Sequence, residues 1–398
     1  MRILFVLISL PFPPNIGQRV RNCSLLRALQ MEGHKVTLLA FGDQAELTSA
    51  RGGLGGLCAD LEVIPEPGGS ARAGYAGRLL ALTSRLPYGA WRLRSAMMRS
   101  AVSDRLANER FDMVLCDGVY QLGNLPTSLR VPIVLNKDDI TFELVARFLK
   151  HQRNPLKLIY GWAVYRQSRR FESRSCGEVA AVWVCSERDR QVLVRNNPSA
   201  PFMVVPNAVD VESYEPSDTD DGRTILFFGA MDWLPNRDAV EFFISEVMPE
   251  LRRLVPEVSF VVAGREPPRD FRRRFEDLRD VRFTGMLDDL RPLMAQAAIC
   301  TVPLRIGSGT RLKILEAAAM AKAVVSTTIG AEGLTLNDGK EIIIADEPRV
   351  MARAIAGLLG DRCRRLEIGR AARRHVAAEY SIPALRRALR EALALVGD

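Results

Sequence analysis

Short apolar runs recur along the chain, and each is followed by a turn and then a stretch of helical period. Residues 2–9, 35–41, 61–64, 113–116, 133–136, 179–185 and 203–205 form strand-sized runs that are apolar throughout instead of alternating with polar positions. Strands buried on both faces of a parallel sheet read this way. Between them lie segments of helical spacing, including 19–32 and 92–109. Residues 206–223 then turn polar and acidic, with Asp210, Glu212, Glu215, Asp218, Asp220 and Asp221 and no helical period. The alternation restarts at 224–229 and continues through 259–263, 281–284, 299–304, 323–326 and 341–344, and the tail from about residue 348 is helical and rich in Arg and Ala.

Two doubly wound, Rossmann-like α/β halves in tandem follow from this pattern. The expected division is a first domain over 1–206, a linker over 207–222, a second domain over 223–378 and a C-terminal helix over 379–398 that can pack back on the first domain. In open sheets of this kind ligands bind outside the carboxyl ends of the strands. Two such sheets facing a central cleft would each offer one ligand, a geometry suited to group transfer. The length of 398 residues suits two domains of about 200 residues each.

Composition narrows the class. No apolar run approaches the roughly 20 residues of a membrane-crossing helix. The run at the start breaks at Pro11-Phe12-Pro13-Pro14 without a small-residue cleavage site, so it reads as a buried first strand and the protein as cytoplasmic. Seven cysteines, an odd number with no Cys-x-x-Cys pair, read as core residues in a reducing compartment. Three scattered histidines make a histidine-built metal site unexpected. The net charge is +8, and its densest segment carries Arg147, Lys150, Arg153, Lys157, Arg166, Arg169, Arg170 and Arg174, with Glu172 the only acid between its ends. That segment reads as a solvated helix face or as a surface leaning on anionic lipid at the inner membrane face. Nucleic acid is disfavoured, because no aromatic-interleaved motif accompanies the charge.

The most informative stretch is VPLRIGSGTRLKILEA at 302–317. A strand ends at Leu304, a loop with Gly307 and Gly309 follows, and a helix is expected to begin near Thr310. Glycines let backbone approach a ligand closely, and the open N–H groups at a helix start bind an anion such as a diphosphate. Arg305, Arg311 and Lys313 add positive charge around that point, and Glu316 is placed to take the two hydroxyls of a ribose. The plain alternative is a glycine turn with Ser308 or Thr310 as an ordinary N-cap; three cations and a carboxylate crowding one turn weigh against it.

GSGTRLKILEA at 307–317, followed by AVVST at 323–327 and GAEGL at 330–334, resembles the family 4 retaining glycosyltransferases of the GT-B fold. GAMDWLPN at 229–236 resembles the opening of their donor domain, VAGR at 262–265 its next strand end, FTGM at 283–286 the segment beside the nucleotide base, and PNAVD at 206–210 the entry to the second domain. PPNIGQR at 13–19, with LRAL at 26–29 and GHKV at 33–36, is similar to the family's first βα unit. The resemblance covers nearly the whole chain and is looser from about residue 43 to 130.

The resemblance implies a pair of glutamates eight positions apart, the second on the donor ribose and the first on the transferring sugar. The second is Glu316; the first position holds Ser308. Many members place an Arg and a Lys near the donor phosphates after the first strand of the second domain, where this chain has Ala230 and Asn236. The phosphate role then shifts to Arg305, Arg311 and Lys313, with Arg265. Gly229, Gly264, Met286, Gly309 and Thr310 complete the implied donor set. Where the family has a histidine near the reacting carbon, this chain has Asp138, within NKDDIT at 136–141. An aspartate there can orient a hydroxyl or act as a base, or it can cap the next helix together with Asp139. Gly17 either approaches the donor phosphates or acceptor, or ends a Pro-rich turn. Trp233 reads as packing its own loop and His34 as structural.

The expected activity is transfer of a sugar, with retention and without a metal or other cofactor, from a nucleotide-diphosphate sugar to a glycan, lipid-linked or small-molecule acceptor. A nucleotide-sugar epimerase or hydrolase of the same fold, or a non-catalytic nucleotide-sugar-binding protein, is the alternative.

Overall fold

The computed structural model describes residues 1–67, 74–84 and 86–397. The chain divides into two compact units, Met1–Asn207 with Leu385–Asp398, and Ala208–Ala384.

In the first unit, seven strands among the described residues form one sheet: β1 (Arg2–Leu7), β2 (Lys35–Phe41), β3 (Asp60–Ile64), β4 (Met113–Asp117), β5 (Ile133–Lys137), β6 (Ala181–Val184) and β7 (Phe202–Val204). Their order is β3-β2-β1-β4-β5-β6-β7, and every pairing is parallel. Ile3 to Leu7 on β1 and Met113 to Cys116 on β4 are fully buried. That is why these runs carry no polar alternation: helices cover both faces of the sheet. The order reverses between β1 and β4, and the loops leaving those two strands meet there.

The helical run expected over 92–109 is the helix Ala96–Asn108, which starts four residues later, and a separate short helix, Tyr88–Arg92, precedes it. Ser95 separates them. Its hydroxyl accepts from the Met98 N–H at 3.2 Å, an N-cap bond, while the Asn124 side chain holds its own N–H at 2.8 Å. The basic segment also forms two helices, Thr141–Lys150 and Pro155–Gly177. Asn154 caps the longer one, accepting from the N–H groups of Leu156 and Lys157. Gly161, Ser168, Glu172, Ser175 and Cys176 form its inner face. Glu172 is no solvated acid: it meets Lys137, at the end of β5, at 2.8 Å, and both side chains are buried. Removing one partner of such a buried pair costs about 3–5 kcal/mol, because the other charge is left stranded.

In the second unit, β8 (Thr224–Phe228), β9 (Ser259–Ala263), β10 (Val281–Gly285), β11 (Ile299–Val302), β12 (Ala323–Ser326) and β13 (Ile343–Ile344) form a parallel sheet in the order β10-β9-β8-β11-β12-β13. Phe227, Phe243, Phe260 and the aliphatic strand residues make one core. The order reverses between β8 and β11. The acidic stretch at 210–221 is partnered within this unit: Asp220 pairs with the buried Arg365 at 2.8 Å and Asp218 with Arg370 at 2.6 Å. Residues Leu385–Asp398 group with the first unit, where Glu32 takes both Arg386 (2.5 Å) and Arg390 (2.9 Å). Among the described residues no helix is long and apolar enough to cross a membrane, and all seven cysteines are thiols.

Candidate active site

At the carboxyl ends of β8, β9 and β10 the backbone is packed too closely for side chains. The Gly229 N–H donates to the Ala263 carbonyl at 2.9 Å, and the Gly264 N–H donates to the Gly285 carbonyl at 3.0 Å. Gly264 has φ +129°, and a Cβ on it would lie 2.1 Å from the Gly229 carbonyl oxygen. Only glycine fits there, and the result is a floor of bare main chain beside the switch point of the sheet, where ligands bind in open α/β folds.

Lys313 stands over that floor. The loop after β11 leads to the helix Leu312–Ala319, whose cap residue is Arg311 with no side-chain cap bond, so neither Ser308 nor Thr310 is the N-cap considered above. Lys313, in the first turn, places its ammonium 2.9 Å from Asn236 Oδ1 and 4.2 Å from the centroid of the Phe227 ring. Asn236 is fixed in turn by donating to the Ala230 carbonyl at 2.9 Å. A Cβ on Gly229 would lie 2.8 Å from Lys313 Nζ and 2.9 Å from Asn236 Nδ2, so both side chains reach the same point above the end of β8. Burial, reinforced by the Arg311 charge, pushes the Lys313 ammonium down to about 7 against the pull of Glu316. One turn on, Glu316 accepts from the Tyr214 hydroxyl at 3.3 Å. Burial raises the Glu316 carboxyl, while Tyr214 and Lys313 lower it.

The other cations behave differently. Arg305 is clasped by Asp238 (2.8 and 3.1 Å) and Glu246 (3.2 Å), with its guanidinium over the Phe242 ring. Arg311 turns back to donate to the carbonyls of Ser308 and Gly309, which ties up the glycine loop from within. Arg265 pairs with Asp232 in a solvent-exposed bridge. Lys313 therefore differs from its neighbours in bonding a neutral amide instead of a carboxylate or its own loop. Met286, just beyond β10, is exposed, and Trp233, at the cap position of the helix Leu234–Phe242, leaves half its surface to solvent. His34 sits by the amino terminus, 3.1 Å from the Met1 nitrogen.

In the first unit, Gly17 opens the helix Gly17–Met31 after β1. The first turns of that helix are held by Asp117, at the end of β4, which accepts from Gln18 (2.7 Å), Asn22 (2.9 Å) and the Ile8 N–H (3.3 Å). Burial, and then the nearby Asp138 charge, pushes the Asp117 carboxyl up to about 7. Asp138 follows β5. It does not take the cap position of the helix Thr141–Lys150, which belongs to Ile140 and carries no side-chain cap bond. The structure thus gathers Gly17, Asp117 and Asp138 around the carboxyl ends of β1, β4 and β5.

Residues 17–213 match the family described as Glycosyltransferase Family 4, and residues 222–361 the family described as Glycosyl transferases group 1. Over 99% of its length the chain is similar to sucrose-phosphate synthase from Thermosynechococcus elongatus, with 98% of that chain covered, a TM-score of 0.71 and 17% identity. The chain is a GT-B glycosyltransferase. The enzyme is similar also to Anabaena HepE in complex with UDP-glucose, at a TM-score of 0.68 and 15% identity over 99% of both chains. Among named relatives, it is 27% identical over 178 residues to a subunit of the Arabidopsis thaliana phosphatidylinositol N-acetylglucosaminyltransferase. That match spans 43% of the enzyme and 39% of the plant protein.

Two residues of this arrangement are absent from the sequence reading. Tyr214 lies in the stretch read as linker, and nothing in its neighbours signals that it folds onto Glu316. Asp117 carries a usable signal: a carboxylate directly after the apolar run 113–116 stands at a strand's carboxyl end.

Proposed function

We propose that the enzyme transfers a sugar from a nucleoside-diphosphate sugar to an acceptor hydroxyl, with retention at the anomeric carbon and without a divalent metal. The observation that carries this reading is the Lys313 ammonium held against the bare backbone at Gly229. The family resemblance puts a phosphate-binding lysine at the position of Asn236, and Lys313 brings its charge to 2.9 Å from that residue by another route. The bond from the anomeric carbon to the diphosphate breaks, and one to the acceptor oxygen forms. Negative charge grows on the leaving diphosphate, and a preplaced ammonium lowers that barrier. Glu316, positioned by Tyr214, takes the ribose hydroxyls. Asp138 is assigned to orient the acceptor hydroxyl or accept its proton, and Gly17 to admit a ligand close to the backbone. Anabaena HepE, which shares the fold, binds UDP-glucose, which supports a nucleotide sugar here.

Thermal shift against a panel of nucleotide sugars tests the reading. A donor at 100 times its Kd adds about 2.7 kcal/mol of stability, so at least one donor should raise the midpoint by several degrees, and Lys313→Met should cut the rise at the same donor concentration to about half or less. No shift with any nucleotide sugar contradicts it. Product formed only when an acceptor is present separates transfer from hydrolysis.

A further inference from the structure

The helix Pro155–Gly177 turns an unusual face to solvent. Leu156, Ile159 and Trp162 are 76%, 69% and 54% exposed. Their spacing of three residues keeps them within about one third of the helix circumference. Arg153 and Lys157 at its start and Arg166, Arg169 and Arg170 beyond Trp162 are exposed too. The acid of this stretch, Glu172, points the other way and is neutralised by Lys137. The outer face is thus an apolar patch with Arg153 just before it and Arg166, Arg169 and Arg170 on the same side beyond it. A helix that only met water would have no reason to expose three large apolar side chains on successive turns, and a nucleic-acid surface would not call for them.

We infer that this face docks the enzyme on an anionic phospholipid bilayer, with Leu156, Ile159 and Trp162 entering the acyl boundary and the flanking cations on the headgroups. Apolar side chains on one side of an interfacial helix and basic residues beside them are what such a surface selects, and neither term alone gives firm attachment. Docking of this kind is independent of the donor site and would bring the first unit to lipid-linked acceptors.

The full chain should sediment with vesicles of phosphatidylcholine and phosphatidylglycerol at a 7:3 molar ratio and not with phosphatidylcholine alone. Raising the salt to 0.5 M should release most of it, since screening weakens the headgroup contacts. Arg166→Gln, Arg169→Gln and Arg170→Gln together should weaken binding about 100-fold, at about five-fold per residue. Leu156→Ser, Ile159→Ser and Trp162→Ser together should weaken it at least tenfold. All six residues are at the surface, and unchanged circular dichroism and unfolding midpoint would show that the fold is intact. Wild-type emission should shift to the blue on anionic vesicles, and Trp162→Phe should remove the shift. No sedimentation with anionic vesicles, equal binding to neutral ones, or full binding by the apolar triple variant would overturn the proposal. Displacement from vesicles by substoichiometric oligonucleotide would overturn it in favour of nucleic acid.

Discussion

Replacing Lys313 by Met removes an ammonium while keeping most of the side chain's length and volume. In the unliganded enzyme that ammonium is disfavoured: burial and the Arg311 charge hold it down at about 7, so the fold gains little from it. The unfolding midpoint of Lys313→Met is expected to stay or rise. Donor use should fall. A charge-assisted hydrogen bond contributes about 1.5–3 kcal/mol, which at 1.4 kcal/mol per decade is about 10- to 150-fold in kcat/KM for the donor. Because Asn236 and Lys313 reach one point above Gly229, Asn236→Lys in the Lys313→Met background should return a charge to that point and recover at least about tenfold of the loss. The assay is initial-rate kinetics with the nucleotide sugar that gives the largest thermal shift, with circular dichroism on each variant. Lys313→Met with kcat/KM within threefold of wild type would refute the reasoning, as would a double variant no better than the single one.

Three further outcomes follow from the same geometry. The folded value of Lys313 lies below the ordinary lysine range, so its ammonium is lost from the unliganded enzyme as pH rises through about 7; a bound diphosphate favours the charged form, and binding should take up close to one proton at about pH 8.5. Calorimetry in buffers of different ionisation enthalpy reads this directly, and a binding enthalpy that does not depend on buffer contradicts it. Glu316→Ala should raise KM for the donor about 10- to 100-fold, and Tyr214→Phe, which removes only the 3.3 Å bond to Glu316, about fivefold; a larger effect from Tyr214→Phe than from Glu316→Ala would reverse their assigned roles. Gly264→Ala drives a Cβ to 2.1 Å from the Gly229 carbonyl at φ +129°, and should lower the unfolding midpoint by about 5 °C or more; an unchanged midpoint would mean the floor is looser than described.

The strands were legible because a parallel sheet leaves no solvent face to alternate toward: the runs 35–41, 259–263 and 323–326 are β2, β9 and β12 to the residue. The start of the helix expected at 92 was less so: Ser95, whose own N–H is held by Asn124 far along the chain, caps it so that it begins at Ala96. At the site, the sequence showed cations crowding one turn but not which of them meets a carboxylate. Arg305 finds Asp238 and Glu246, 67 and 59 residues away in the chain, and no local pattern reports such partners. The same holds for Tyr214, 102 residues from Glu316.

A crystal structure of the enzyme with a nucleoside diphosphate measures the central claim most directly. The account predicts diphosphate oxygens within about 3 Å of Lys313 Nζ, over the backbone at Gly229, with the ribose hydroxyls on Glu316. A diphosphate bound elsewhere, with the Lys313 ammonium still on Asn236 and no phosphate contact, would contradict it.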